Sequence, residues 1–125
     1  MARILLIDDD ELLRRTVVRM LAAGSHTVFQ ADNGKTGAEI LKTKKVDVVV
    51  TDVFMPEREG LETISLLRRA DPALKIIAIS GGWTRSGVDY LDMAKQLGAQ
   101  ATLTKPFTKD QILAAVEGCL GHGGG

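Results

Sequence analysis

The sequence predicts an α/β fold in which five short strands alternate with five helices. Three observations carry this. First, Ile4-Leu5-Leu6-Ile7, the Val-rich stretch over 46–51 and Ile76-Ile77-Ala78-Ile79 are short apolar runs bounded by turn signals. Such runs read as strands buried on both faces, as in a parallel sheet. Second, the segments between them carry apolar residues at helical spacing. Third, the two patterns alternate along the whole chain, with no internal repeat and no linker. That alternation implies helices on both faces of a parallel sheet, joined by right-handed crossovers. Periodicity leaves the lateral order of the strands open.

The elements follow in order. Strand one, Ile4 to Ile7, stops at Asp8-Asp9-Asp10. The first helix places Leu13, Val17, Met20 and Leu21 on one face, and Gly24-Ser25-His26 ends it. Thr27 to Ala31 alternates weakly and reads as the second strand, and Asn33-Gly34 reads as a turn. A shorter helix through Ala38, Ile40 and Leu41 leads to the strand over 46–51, which ends at Asp52. After Pro56, the loop Glu57-Arg58-Glu59-Gly60 precedes a helix carrying Leu61, Ile64 and Leu67, which Asp71-Pro72 breaks. The fourth strand ends at Ser80, and residues 81–87 form a Gly-rich loop with the only Trp, Trp83. A fourth helix runs through Leu91, Ala94 and Leu97 to Gly98. Ala101 to Thr104 is the fifth strand, followed by Lys105-Pro106-Phe107. Thr108 and Gln111 form a capping box for the last helix, which buries Ile112, Val116 and Cys119.

Composition bounds the function. A chain of 125 residues suits one domain, expected over 1–120, with 121–125 a flexible Gly-rich tail. Apolar content of 45% and charged content of 26% are ordinary for a globular protein. Lys+Arg and Asp+Glu balance at 16 each, so no basic field is present for nucleic acid or an anionic membrane. Lys42, Lys44 and Lys45 read as a solvated helix end. A single Cys119 excludes an internal disulfide and a Cys-based zinc site, and fits a reducing cytoplasm. The three Asp residues cut off the N-terminal apolar run, so no signal peptide is expected. No apolar run approaches the roughly 20 residues of a membrane span.

In a parallel sheet all strand C-termini open on one edge, where α/β sheets place their ligands. That edge gathers Asp8, Asp9 and Asp10, then Asp52, Ser80 and Lys105. Two carboxylates about 4 Å apart repel by on the order of 4 kcal/mol at an effective dielectric of 20. Such a cluster raises one pKa or recruits a cation, and hard oxygens suit Mg²⁺. Lys105 supplies a positive charge and Ser80 a hydroxyl donor. Together these are the parts of phosphoryl transfer onto a carboxylate nucleophile, Asp52. Singly, each has a plainer use: Asp runs cap helices, and an Asp before a turn or a Lys-Pro-Phe is common loop chemistry. Their placement in register with successive strands carries the functional reading.

The residues Ile4 to Asp10, Asp52-Val53-Phe54-Met55-Pro56 with Gly60, Ser80-Gly81 and Lys105-Pro106-Phe107 resemble the receiver domain of bacterial two-component response regulators, the CheY-like family. The resemblance runs from Arg3 to about Leu120. It implies a flavodoxin-like (βα)5 doubly wound sandwich, with strand order 2-1-3-4-5 and two helices facing three across the sheet. By likeness, Asp52 is the phosphoacceptor, Asp9 the direct Mg²⁺ ligand, Asp8 its partner through water, and the Phe54 carbonyl a further ligand. Ser80 and Lys105 contact the phosphoryl group, Gly81 leaves the donor room, and the Lys105–Pro106 bond is cis. Asp10 has no implied metal role and is left to cap the first helix. There are two departures. Thr102 stands where the family commonly has an aromatic switch residue, and the loop after Ser80 is longer than usual. That loop, through Trp83, is expected to take over the aromatic's role.

The implied function is a stand-alone phosphoacceptor, not an enzyme in its own right beyond self-catalysed phosphotransfer and autodephosphorylation. Its implied donor is a sensor histidine kinase or a histidine phosphotransfer protein. With no output domain in the sequence, signalling is expected through contact with a target protein, as a cytoplasmic monomer or weak dimer. The alternative is a receiver-like interaction module that is never phosphorylated, which a missing acid, Lys or hydroxyl would mark; none is missing. A hydrolase of the haloacid-dehalogenase type wants a second Asp two residues after the nucleophile, where Phe54 stands. A nucleotide site wants a Gly-rich loop where Asp8-Asp9-Asp10 lies.

Overall fold

The computed structural model describes residues 2–53, 59–80 and 90–120, with the side chains of 59–61 and 90–91 left aside. Ten elements alternate: β1 (Arg3–Ile7), α1 (Glu11–Ala22), β2 (Thr27–Ala31), α2 (Gly34–Thr43), β3 (Val48–Asp52), α3 (Glu59–Ala70), β4 (Lys75–Ser80), α4 (Tyr90–Gln96), β5 (Ala101–Thr104) and α5 (Lys109–Cys119). The strands form one parallel sheet in the order β2-β1-β3-β4-β5.

That order places the helices. From β1 the chain steps one way to β2, then reverses across β1 to β3 and continues to β5. Right-handed crossovers force α1 to the opposite face from α2, α3 and α4. The core accordingly splits in two. Leu5, Ile7, Val49, Ile76 and Ala78 pack on the α2–α4 side with Ile64, Leu67 and Ala94. Ile4, Leu6, Val48, Val50, Ile77 and Ile79 pack on the other, against Val17 and Leu21 of α1 and Ile112, Val116 and Cys119 of α5. Adjacent residues of one strand thus serve opposite layers, the period-2 consequence of a pleated strand. This is why the three central strands read as unbroken apolar runs while the edge strands β2 and β5 do not.

Helix ends use short polar caps. Asp10 accepts from the Leu13 amide at 3.1 Å to start α1. Thr108 and Gln111 form the reciprocal capping box of α5. Asn33 differs from the sequence expectation. It is the N-cap of α2, accepting from the Thr36 amide at 2.8 Å, and Gly34 is the first helical residue instead of a turn position. Asn caps as readily as it turns, and the choice is tertiary: a side chain at Gly34 would collide with Thr63 of α3. After α1, Ser25 takes the left-handed conformation (φ 63°). At Gly24 a Cβ would lie 2.7 Å from Leu113 Cδ2, so a larger residue would make that side chain shift.

Two other boundaries move. β3 runs Val48–Asp52, two residues later than the periodicity suggests. Asp47 turns its side chain back on β1, accepting the Arg3 amide at 2.8 Å while its own amide donates to the Arg3 carbonyl at 2.7 Å. Asp52 is thereby the last residue of the strand. α3 begins at Glu59, inside the segment expected as loop. The loop over 81–87 with Trp83, and the tail over 121–125, lie outside the described residues. Among the described residues no helix is long and apolar enough to cross a membrane.

Candidate functional site

Four strand ends meet at the C-terminal edge of the sheet. The switch point lies between β1 and β3, where the chain reverses direction; Asp8 directly follows β1 and Asp52 ends β3. This is the crevice in which open α/β sheets take ligands. Both carboxylates are buried, at 3% and 4% exposure. Lys105, just past β5, reaches across to them. Its Nζ lies 2.6 Å from Asp52 Oδ2 and 4.0 Å from Asp8 Oδ2. Lys105 follows directly on β5, with its amide donating to the Ser80 carbonyl at 2.8 Å. The Lys105–Pro106 peptide is cis, as the family likeness implies. Ser80 is buried at the end of β4, between Asp52 and Lys105 in the order of strands.

Charge in this crevice is unbalanced. One ammonium faces two buried carboxylates, and Asp9 sits exposed at the rim. Burial, with the charges of Asp52 and Asp9, pushes the Asp8 carboxyl up to about 6. The Asp10 amide, donating to Asp8 Oδ1 at 2.9 Å, and Lys105 pull in the other direction without cancelling the rise. The site therefore favours a further positive charge. Among the described residues no three His, Cys, Asp or Glu side chains form a ready metal cage. Two hard carboxylates at the sheet edge nevertheless fit Mg²⁺, which keeps several waters and takes one or two protein carboxylates.

The sequence-derived residues Asp8, Asp52, Ser80 and Lys105 are thus brought together, while Asp9 is at the rim. Asp10 is the α1 cap and stands apart. Phe54 and Gly81 lie outside the described residues. Thr102 is half-buried on β5 beside Ala78 of β4. Its neighbours Ala101 and Leu103 pack on the α1–α5 side, so Thr102 faces the α4 side. Sequence reasoning missed Arg14 and Gln30. Arg14 Nη1 donates to the Asp8 carbonyl at 2.7 Å, and its Nε donates to Gln30 Oε1 at 3.1 Å. No pattern in the chain marks them, because the contact joins α1, the β1 end and β2.

A family model of the response regulator receiver domain matches residues 4–117. The cell cycle response regulator CtrA of Brucella ovis is 30% identical over 114 residues, covering 91% of this chain and 48% of the relative. The chain therefore spans about half the length of the curated relatives it matches. Among solved structures, a CheY-like receiver domain protein from Methanospirillum hungatei aligns with a TM-score of 0.83 at 22% identity, over 96% of this chain and 94% of its own. A response regulator from Burkholderia pseudomallei, solved with a phosphorylated aspartic acid, a calcium ion and citrate, aligns with a TM-score of 0.78 at 27% identity, over 92% and 66% of the two chains. By a match that takes in every strand and helix above, this chain belongs to the response regulator receiver domain family.

Proposed function

We propose that this domain accepts a phosphoryl group onto Asp52 from a phosphohistidine donor, in a Mg²⁺-dependent reaction, and signals to a partner protein by a shift in conformation. The carrying observation is the 2.6 Å contact between Lys105 Nζ and Asp52 Oδ2 in a crevice shared with the buried Asp8. The Burkholderia relative with its phosphorylated aspartic acid and calcium ion supports the reading by likeness.

An Asp52 carboxylate oxygen forms the new O–P bond while the P–N bond to the donor's imidazole breaks, and the imidazole nitrogen keeps the bonding pair. The Lys105 ammonium, already against the carboxylate, moves with the added charge onto a phosphoryl oxygen. The Ser80 hydroxyl donates to a second. Asp8, Asp9, Asp52 and the Phe54 carbonyl are the groups that would hold Mg²⁺. When bound, that ion supplies charge neutralisation for the transferring oxygens.

Readout follows from the same contacts. Moving a two-state equilibrium from 1:99 to 99:1 takes about 5.5 kcal/mol of differential stabilisation. Hydrogen bonds to charged groups contribute about 1.5–3 kcal/mol each, so new bonds from Ser80 and Lys105 supply a large part. A partner would sense the change at the face formed by α4, β5 and α5. The donor is a sensor histidine kinase or a histidine phosphotransfer protein.

Incubation with Mg²⁺ and acetyl phosphate is expected to add one phosphoryl mass to the wild type and none to Asp52→Asn. Equal labelling of both would refute Asp52 as the acceptor, and no labelling of the wild type by any small phosphodonor would favour a receiver-like module that works unphosphorylated.

A further inference from the structure

We propose that Arg14 is a positioning residue for the acidic turn, holding the Asp8–Asp9 peptide in the orientation that lets the crevice take Mg²⁺. This rests on the reading of the crevice as a Mg²⁺-dependent phosphoacceptor site. Arg14 sits in the second turn of α1 and reaches back over the start of its own helix. Its Nη1 donates to the carbonyl of Asp8 at 2.7 Å. Its Nε donates to Gln30 Oε1 on β2 at 3.1 Å, which fixes the guanidinium plane.

The effect is to complete the hydrogen bonding of the Asp8 backbone. Its amide donates to the Ala31 carbonyl at 3.1 Å. Its Oδ1 accepts from the Asp10 amide at 2.9 Å, which leaves Oδ2 on the Lys105 side at 4.0 Å. The carbonyl is the remaining group, and Arg14 holds it. Because the carbonyl lies in the plane of the 8–9 peptide, holding it sets the direction in which Asp9 leaves the strand.

Two effects of Arg14 on a bound cation oppose each other. A fixed guanidinium repels the cation through space, so its charge alone would weaken binding. Its grip on the turn strengthens binding by pre-organising the ligands. Arg14 contacts the backbone carbonyl of Asp8 at 2.7 Å, so the inference is that its hold on the turn outweighs its charge. Mg²⁺ demands near-ideal octahedral geometry at about 2.0–2.1 Å, whereas Ca²⁺ accepts flexible coordination at about 2.3–2.6 Å. A loosened turn consequently penalises Mg²⁺ more than Ca²⁺.

Removing either partner spares the packed layers. Arg14 and Gln30 line a cleft of about 270 Å³ with Ala31, Asp32 and Thr36, and neither side chain belongs to an apolar core. Mg²⁺ and Ca²⁺ are each titrated by calorimetry into wild type, Arg14→Ala, Gln30→Ala and, as control, Arg15→Ala, whose side chain pairs with the exposed Glu11. Partners behind metal ligands are typically worth about 10–100-fold in affinity. Arg14→Ala is expected to weaken Mg²⁺ about tenfold at the low end of that range, with a smaller loss for Ca²⁺. Gln30→Ala is expected to show a weaker loss of the same kind, and carries the test if Arg14→Ala does not fold. Arg15→Ala is expected to match wild type. Tighter Mg²⁺ binding in Arg14→Ala would show that its charge is what matters, and overturn the proposal. An equal loss for both ions would show a merely structural role, and overturn it too. If the wild type binds Mg²⁺ and both variants match it, only this inference falls. If the wild type binds no Mg²⁺, the Mg²⁺-dependent reading falls with it.

Discussion

Lys105 stands between two buried carboxylates, and one charge cannot neutralise both. The consequence falls on Asp8, whose carboxyl is raised to about 6, first by burial and then by Asp52. Its ordinary value is about 3.9. The folded protein therefore holds this proton more tightly than the unfolded chain. Stability from this group is fully present below pH 4 and is lost as pH rises toward 6, the reverse of a salt-bridged carboxylate. A shift of this size has a ceiling near 3 kcal/mol. The side chain is 4% exposed, so solvent does not screen this away, and the expected effect is on the order of 1–3 kcal/mol. In chelator, Asp8→Asn is expected to be more stable than wild type at pH 7.5 by that amount and equal to it near pH 4. Urea midpoints at the two pH values check this, and an Asp8→Asn variant less stable at pH 7.5 would contradict it. The presence of Asp8, Asp52, Ser80 and Lys105 at strand ends was legible in the sequence, because apolar runs show where strands stop. The grip of Arg14 on the Asp8 carbonyl was not, because nothing local distinguishes Arg14 from the neighbouring Arg15.

Among the elements, α4 is held at its C-terminal end by a residue of α3. Arg68 donates from Nη1 to the Pro72 and Leu74 carbonyls at 2.9 and 2.6 Å, and from Nη2 to the Gly98 carbonyl at 2.8 Å. Gly98 has φ +111°, and a Cβ there would lie 3.2 Å from the Arg68 guanidinium. The glycine is thus required by conformation, and a larger residue would also press on the guanidinium. Arg68→Ala leaves three carbonyls without this donor. Water reaches part of them, so the expected loss is about 2 kcal/mol, with faster hydrogen exchange confined to the α4 C-terminus and the turn before β4. A change under about 0.5 kcal/mol, the usual range for surface positions, would sink the anchoring role. The sequence marked Gly98 as a helix stop for its chain-local meaning. It could not mark Arg68, whose partners lie on the turn before β4 and on the turn after α4. The same limit explains Asn33-Gly34. A cap and a turn use the same residues, and the packing of Gly34 on Thr63 selects the cap.

For the whole molecule, one sheet serves two helix layers, so neither layer folds without the other. Leu5 and Leu6 are neighbours in β1, at 0% and 1% exposure, and belong to opposite cores. Leu5→Ala and Leu6→Ala are each expected to cost about 2–5 kcal/mol. Each should lower hydrogen-exchange protection of α1 and α3 together. Loss of protection in only one layer would mean that the layers unfold separately. The sequence by itself determined the α/β class, the number and order of elements along the chain, and the polar residues at strand ends, since burial on both faces demands unbroken apolar runs whose ends are visible. The lateral strand order 2-1-3-4-5 came only through family likeness, because periodicity records burial and not neighbours. Tertiary structure alone decided the exact start of β3, the cap at Asn33, the sharing of Lys105 between Asp52 and Asp8, and the Arg14–Gln30 hold on the acidic turn. Each depends on distances between segments far apart in the chain, which no local pattern encodes.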